Sequence, residues 1–346
     1  MKTEYRSQVQ EKDFHTETRS FFHGRKVAVT GGSGFIGSHL VEQLIQLGAR
    51  PIVLTRQKEP TFLQAALPNV ELRQVDLFDP TAISKGLTGT SVVLHVAATV
   101  AGIEYNKNHP ASIFQDNLQA FFNTIRAANN LNIERFLVTS SACVYPRFCT
   151  LPTPESEGMQ GEPEPTNSGY GWAKRMEEYL GKKYSEEFGL PVAIARPYNA
   201  YGPRDNFDPK TSHVIPALIL KAVENVDGKL TVWGDGSHSR SFLYVDDFAR
   251  GLLEVAARYP KADPVNLGAH EEITIRELAF LVAEIVGTRM KKKLIPVFDP
   301  QGITGQPRRM CDTSKAEAEL GYRASVTFRA GLERTIDWFL RDRGLM

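Results

Sequence analysis

Cysteine is scarce in this chain. Its 346 residues include three, Cys143, Cys149 and Cys311. An odd number at these spacings makes neither a disulfide framework nor a metal-ligand set, so no metal is expected and the cytoplasm is the natural compartment. Long apolar runs are missing too. None approaches the length that crosses a bilayer, so no membrane partner is expected. Charge of one sign is not in excess: 41 Lys and Arg stand against 40 Asp and Glu. No whole-chain basic field is there to attract nucleic acid. Residues 1–24 are polar and mixed in charge, without the apolar core of a signal peptide. They read as a flexible N-terminal segment or a surface helix. There is no internal repeat and no low-complexity tract.

What remains is an ordinary globular composition, 42% hydrophobic and 23% charged. The length suits one large α/β domain or two smaller ones. One stretch organises the rest: Val27-Ala28-Val29-Thr30-Gly31-Gly32-Ser33-Gly34-Phe35-Ile36-Gly37. Four residues suited to a buried strand run into a glycine-rich turn. A helical pattern follows, with Ile36, Leu40, Val41, Leu44 and Ile45 at its apolar positions. This is the strand–turn–helix setting of a dinucleotide fingerprint. Gly31 permits the turn, Gly34 lets the backbone approach a pyrophosphate, and Gly37 lets the helix pack on the strand. Free N–H groups in the first helical turn and the helix dipole then favour the anion.

The first half alternates strand and helix, which argues for a doubly wound parallel sheet of the Rossmann type. Further strands are expected at 51–55, 70–75, 91–96, 135–140 and 191–195. Two long helices are expected at about 111–131 and 169–188. The first carries Phe114, Leu118, Phe121, Phe122 and Ile125, and the second Trp172, Met176 and Tyr179. They could build a homodimer interface or only cover the sheet. After Arg196 the loops lengthen. Helices are expected at 214–225, 245–258, 275–286 and 329–340, and short strands at 230–232 and 265–267. The domain reading is therefore 25–196 for a cofactor-binding domain. A smaller α/β substrate domain takes most of 197–346, with segments that could return to the first sheet. The long Pro- and Glu-rich loop at 146–168 reads as functional.

The second strand ends in Thr55-Arg56, where an Asp or Glu would select NAD. A guanidinium suits a 2′-phosphate, so NADP is the expected cofactor and NAD the alternative. Arg56 stacking on adenine or facing water stays open here. Asp76 could bond the adenine, and Ala97 and Ala98 are small enough to let a cofactor cross. Tyr170-Gly171-Trp172-Ala173-Lys174 puts a phenol and an ammonium one helical turn apart. The ammonium would pull the phenol pKa down toward working pH and make Tyr170 an acid/base for carbinol–ketone interconversion. Ser140-Ser141 ends the fifth strand, so a hydroxyl can reach the same oxygen.

With these motifs in place, the chain resembles, over about 26–340, the extended short-chain dehydrogenase/reductases that act on nucleotide sugars. These form the NAD-dependent epimerase/dehydratase family. The runs that carry the likeness are Ala97-Ala98-Thr99-Val100-Ala101-Gly102-Ile103, Glu164-Pro165-Thr166-Asn167, Asp205-Asn206-Phe207-Asp208 and Ser212-His213-Val214-Ile215-Pro216-Ala217-Leu218. They are most similar to the branch that epimerises a GDP-4-keto-6-deoxyhexose at C3 and C5 and then reduces C4 with NADPH. GDP-mannose 3,5-epimerases are near relatives, and Ser140-Ser141-Ala142-Cys143-Val144-Tyr145-Pro146 looks closer to them.

The resemblance implies roles by position. Ser141, Tyr170 and Lys174 match the hydride-transfer triad, Cys143 the base and His213 the acid of epimerisation. Asn199, Lys221, Trp233 and Arg240 match positions that hold GDP, with His213 beside them. Ser33, Phe35, Ile36, Leu77 and Pro197 join the residues already named as cofactor contacts. Ser33 stands where the reductases often carry a basic residue. His213 stands where the 3,5-epimerases carry lysine, and Thr55-Arg56 where they carry an acidic strand end. A silent NADP-binding sensor, the other class weighed, would have no need of a tuned phenol.

Overall fold

The computed structural model describes residues 5, 7–100, 102–300 and 306–346. Ala101 and residues 1–4 and 6 of the N-terminal segment lie outside the described residues.

Strand residues in the first half face apolar surroundings on both sides, which favours a parallel sheet covered by helices. The strands are β1 (Lys26–Thr30), β2 (Arg50–Thr55), β3 (Glu71–Gln74), β4 (Val92–His95), β5 (Arg135–Thr139) and β6 (Val192–Pro197). A seventh strand, Pro264–Leu267, pairs in parallel with β6. The order is Pro264–Leu267, β6, β5, β4, β1, β2, β3. The strand expected at 265–267 therefore sits in the main sheet. Alternation along β1 splits the core into two layers. Val27 and Val29 pack with Leu40, Leu44 and Leu252. Ala28 packs with Phe121, Ile125 and Val138. The chain leaves β1 toward β2 and later resumes on its other side with β4, so a crevice opens at the carboxyl ends of these strands.

The helices Pro110–Asn130 and Ser168–Phe188 cover one face. Phe35–Gln46 and Val245–Arg258 cover the other. The aromatic stripe of the first long helix does not lie on one side: Leu118, Phe121 and Ile125 are buried, whereas Phe114 and Phe122 are exposed. Adjacent residues such as Phe121 and Phe122 are about 100° apart on a helix, so one of them must turn outward.

A third apolar cluster, with Ile219, Leu278, Val282, Leu332 and Ile336, builds the later half. There Lys229–Trp233 pairs with Ile295–Asp299. Ser239–Ser241 pairs with Glu272–Thr274 on one side and Arg308–Arg309 on the other. This second pairing sets Arg309 opposite Arg240.

The N-terminal segment, expected as a flexible tail or a surface helix, is anchored to the core where it is described. Thr16–Phe22 is a helix, and Val9, Phe14 and Phe22 are buried in the core of the sheet's helical layer. Thr18 Oγ1 donates to Glu254 Oε2 at 2.6 Å, and the Tyr5 hydroxyl donates to Asp246 Oδ2 at 2.9 Å. Three apolar anchors outweigh the polar composition around them.

Asp205 carries a stability consequence. Its Oδ1 accepts the Asn206 N–H at 2.7 Å, while Oδ2 is buried without a partner among the described residues. Burial raises its pKa to about 7, against the Asn206 N–H, which lowers it. The folded pKa lies above the unfolded value of about 4, so ionisation erodes stability as pH climbs from about 4 to about 7. Asp205→Asn keeps the acceptor for Asn206 and removes the charge. It is expected to gain little at pH 4 and about 2 kcal/mol at pH 8. Denaturant unfolding of both proteins at the two pH values checks this, and a gain that does not grow with pH overturns it.

Candidate active site

The glycine turn is fixed by close approach. Gly31 has φ +68°, and a Cβ there would lie 2.9 Å from the Ala97 backbone. A Cβ on Gly37 would lie 2.1 Å from the Gly31 carbonyl oxygen. Side chains at either position would push the helix off the strand. Gly34 caps the helix Phe35–Gln46 in an extended conformation, leaving first-turn N–H groups without intrahelical acceptors. Beside them opens a cleft of about 230 Å³. Gly31, Ser33, Arg56, Asp76, Leu77, Ala97 and Ala98 line it. The structure thus brings most of the expected cofactor contacts to one place. Ser33 and Thr55 share a hydroxyl–hydroxyl hydrogen bond of 2.9 Å, and Arg56 is exposed beside them. Phe35 and Ile36 differ: their side chains pack into apolar clusters, so only their backbone faces a ligand. Pro197 is buried at the end of β6. A backbone cradle that no Cβ could enter, a small-residue crossing and a guanidinium at the strand end fit a dinucleotide. They would hold its pyrophosphate, its nicotinamide half and its adenosine end respectively.

Deeper in the crevice, the Ser141 hydroxyl hydrogen-bonds the Tyr170 phenol. Ser140, its neighbour, instead donates into the core to Glu178 Oε1. Burial pushes the Tyr170 phenol well above its ordinary range; Cys143 and Glu177 push it further, and only Ser141 pulls it down. The sequence predicts the opposite direction. The difference lies with Lys174. Its Nζ is 5.5 Å from the centre of the Tyr170 ring and donates to Glu177 Oε2 at 2.8 Å. The ammonium that would favour phenolate is thus already matched by a carboxylate.

Cys143 sits beside this pair on the short 3₁₀ turn Ala142–Val144, whose N-cap Ser141 accepts the Cys143 N–H at 3.2 Å. Arg309 reaches it from the other half of the molecule, donating to Cys143 Sγ at 3.7 Å and to the Ala142 carbonyl at 3.2 Å. Burial works against the Arg309 charge, but Cys143, Tyr198 and Glu164 outweigh it and hold the guanidinium above its ordinary value. His213 caps the helix Val214–Glu224. It keeps an open edge to solvent, yet the mass of protein around it and the Arg309 charge push its imidazole down. Arg240 is pushed down to about 10 by burial and by Arg309, with Glu164 opposing. Arg309 therefore links Cys143, His213 and Arg240 in one electropositive centre.

The remaining expected substrate contacts are Lys221, Trp233 and Asn199. Lys221 Nζ lies 4.9 Å from the centre of the half-exposed Trp233 ring, and burial lowers its pKa. An aromatic face beside an ammonium suits a base stacked over an anionic diphosphate. Asn199 is committed elsewhere: its Nδ2 donates to the Ser241 carbonyl at 2.7 Å.

Three contributors were missed in the sequence. Arg309 is one; its only signal is the basic pair Arg308-Arg309 in a loop-rich stretch. Asn117 is another; its side chain accepts the Thr99 N–H at 3.0 Å and donates to the Thr99 carbonyl at 2.9 Å, fixing the cleft floor after β4. Glu177 is the third. Among the described residues there is no cluster of metal-ligating side chains, and no helix is long and apolar enough to cross a membrane.

The fold and this site define a nucleotide-dependent oxidoreductase or epimerase of the doubly wound class. Residues 27–268 match the NAD dependent epimerase/dehydratase family, and the chain belongs to it. Among its relatives, GDP-L-fucose synthase 1 of Arabidopsis thaliana is 36% identical over 320 residues, covering 92% of this chain and 94% of that protein. GDP-L-fucose synthase of Escherichia coli K12 is 33% identical over 331 residues, covering 92% and 98%. A solved GDP-L-fucose synthetase from Naegleria fowleri bound to NADP shares the fold, with a TM-score of 0.78 at 24% identity over 93% of this chain and 96% of that one.

Proposed function

We propose that this protein is a cytoplasmic epimerase–reductase of GDP-4-keto-6-deoxyhexoses. Its substrate would be inverted at C3 and C5 and then reduced at C4 with NADPH. Residues 25–196 would bind the cofactor, and 197–346 mainly the sugar nucleotide. One observation carries the reading: two separate sets of proton-transfer groups meet in one crevice. Ser141 and Tyr170 form one, and Cys143 with Arg309 beside it forms the other. A plain reductase needs only the first set. The names of the relatives supply the substrate class.

A C4 ketone acidifies the protons on C3 and C5. Cys143 as thiolate takes one proton and becomes a thiol. His213, protonated from solvent, returns another on the opposite face as imidazolium, which inverts the centre. Exchange with solvent then resets both groups. The Arg309 guanidinium lies against the Cys143 sulfur, donating to it at 3.7 Å. A nicotinamide held in the cleft by Gly31, Ala97 and Ala98 would supply the hydride for C4. Tyr170 gives its hydroxyl proton to the C4 oxygen, and Ser141 orients that oxygen. Carbonyl carbon and oxygen thus gain one hydride and one proton, leaving an alcohol.

The test is direct. GDP-4-keto-6-deoxymannose and NADPH are expected to give a C3/C5-inverted alcohol, read by NMR. Failure to consume the ketone, with deuterium washed into GDP-mannose instead, favours a 3,5-epimerase. The cofactor preference rests on Arg56. Arg56→Ala is expected to weaken NADPH about tenfold and NADH little, since a charged hydrogen bond to phosphate contributes about 1.5 kcal/mol. Fluorescence titration of both cofactors checks it, and equal affinities untouched by the substitution overturn it. Exposed Phe114, Phe122, Trp172 and Tyr179 on the two long helices support a homodimer through that face. Sedimentation mass checks it.

A further inference from the structure

Glu177 has no role in the proposed reaction, yet it is the carboxylate that holds the triad lysine. Lys174 and Glu177 are both buried, and Nζ to Oε2 is 2.8 Å. Glu177 Oε1 has no partner among the described residues. The carboxylate next to it in sequence, Glu178, is spent on structure: it pairs with Arg196 at 2.7 Å and accepts from Ser140. A helix that needed only an anchor for the sheet already has one in Glu178. A second buried carboxylate with an unmatched oxygen costs desolvation free energy. Its geometry gives it one evident task, to neutralise Lys174 beside the phenol.

We infer that Glu177 is a positioning residue that sets the protonation state of Tyr170 through Lys174, holding the phenol as the acid that ketone reduction requires. The inference rests on the reading of Tyr170 as the C4 proton donor. An uncompensated ammonium favours phenolate, the form that accepts a proton from an alcohol and so serves oxidation. An ammonium paired with a carboxylate loses that pull. The phenol then stays protonated and can donate to the C4 oxygen. One carboxylate therefore keeps the enzyme in the protonation form that turns over the ketone at saturation, the reaction equilibrium being unchanged.

The charged surroundings agree. On its own helix Glu177 meets Lys174 and Glu178. From β4 comes His95, held near pKa 3 by burial and by Lys174, hence neutral, with its Nε2 lacking a partner among the described residues. From the turn after β5 comes Cys143, which faces Tyr170. From β6 comes Arg196, already paired with Glu178. On the packed helix Pro110–Asn130, Asp116 borders the cofactor cleft and Arg126 is exposed. Among the described residues, no other carboxylate is thus placed to offset Lys174. Burial lifts Glu177 itself to about 7, against the pull of Lys174, so its charge is sensitive to pH near neutrality.

The test uses Glu177→Gln, close in shape and without charge. The tyrosine titration of the cofactor-free enzyme is followed by phenolate ultraviolet absorption, with Tyr170→Phe subtracted. The Tyr170 midpoint is expected to fall by about one pH unit. In turnover, the alkaline limb of ketone reduction moves down by the same amount. Oxidation of the product alcohol by NADP at neutral pH rises up to about tenfold. Glu177→Asp, which keeps the charge but withdraws it, gives a smaller movement in the same direction and serves alone if the glutamine variant does not fold. A merely structural glutamate would lower both directions at every pH and leave both midpoints in place, and that result overturns the inference. Wild-type enzyme that never reduces the keto sugar would instead overturn the reading of function, while the titration still reports on Glu177.

Discussion

Tyr170→Phe is expected to stop NADPH consumption almost completely and to leave the ring protons exchanging. The phenyl ring fills the same buried space, so the fold loses only the bond to Ser141. Removing a general acid costs about 10²- to 10⁴-fold in rate, and this donor has no evident replacement in the crevice. Epimerisation is chemically separate. A substrate that arrives as a C4 ketone has acidic C3 and C5 protons before any hydride moves. Cys143 and Arg309 are untouched by the substitution. In deuterated water, the variant given GDP-4-keto-6-deoxymannose should therefore take up deuterium at C3 and C5 while the NADPH absorbance stays constant. Mass spectrometry and NMR of the recovered sugar read both sites. NADPH fluorescence shows whether the cofactor still binds. A 3,5-epimerase behaves otherwise: it starts from an alcohol and must oxidise C4 first. If Tyr170→Phe abolishes deuterium uptake into GDP-mannose and the wild type ignores the ketone, that alternative replaces the epimerase–reductase.

The parts of this site that could be read from sequence are those fixed by local sterics. Gly31 and Gly37 had to be glycine, because a Cβ on either would meet backbone within 3 Å. Such a constraint writes itself into spacing. Tyr170 and Lys174 are legible for the same reason, since four residues make one helical turn. Glu177 was not legible. It lies in the charged run Lys174-Arg175-Met176-Glu177-Glu178, where a solvated helix face is the ordinary reading. Only the packing of that face onto the sheet shows that Lys174, Arg175, Glu177 and Glu178 are buried. Arg309 was hidden more deeply. It meets Cys143 through the pairing of Arg308–Arg309 with Ser239–Ser241, a contact spanning 166 residues that no local pattern encodes. The strand Pro264–Leu267 shows the same limit. Its apolar residues announce a strand, but nothing in them announces β6 as partner. At the N-terminus, Val9, Phe14 and Phe22 have no helical or strand period, so burial there gave no signal.

Cys143→Ser is expected to separate the two halves of the reaction in the other direction. Serine keeps the size and the turn that Ser141 caps, so cofactor binding and folding should stand. A hydroxyl is a far weaker acid than a thiol, and the Arg309 guanidinium cannot hold it as an anion near neutral pH. Loss of the base should cut deuterium uptake at C3 and C5 by about 10²- to 10⁴-fold. Reduction through Tyr170 persists, and the product then carries its C3 and C5 centres unaltered. Arg309→Gln should show a milder version, about tenfold slower exchange, because the sulfur loses its charged partner at 3.7 Å but stays in place. Arg309→Lys restores the charge and should recover much of the rate. Arg309 also adjoins Arg240, so KM for the sugar nucleotide will rise in the glutamine variant. The exchange rate at saturation isolates the effect on the base from the effect on binding. Fully epimerised product made at the wild-type rate by Cys143→Ser would return Cys143 to the packing residues. It would leave Arg309 with a part in substrate binding alone, with the base to be sought among the other groups that face the sugar.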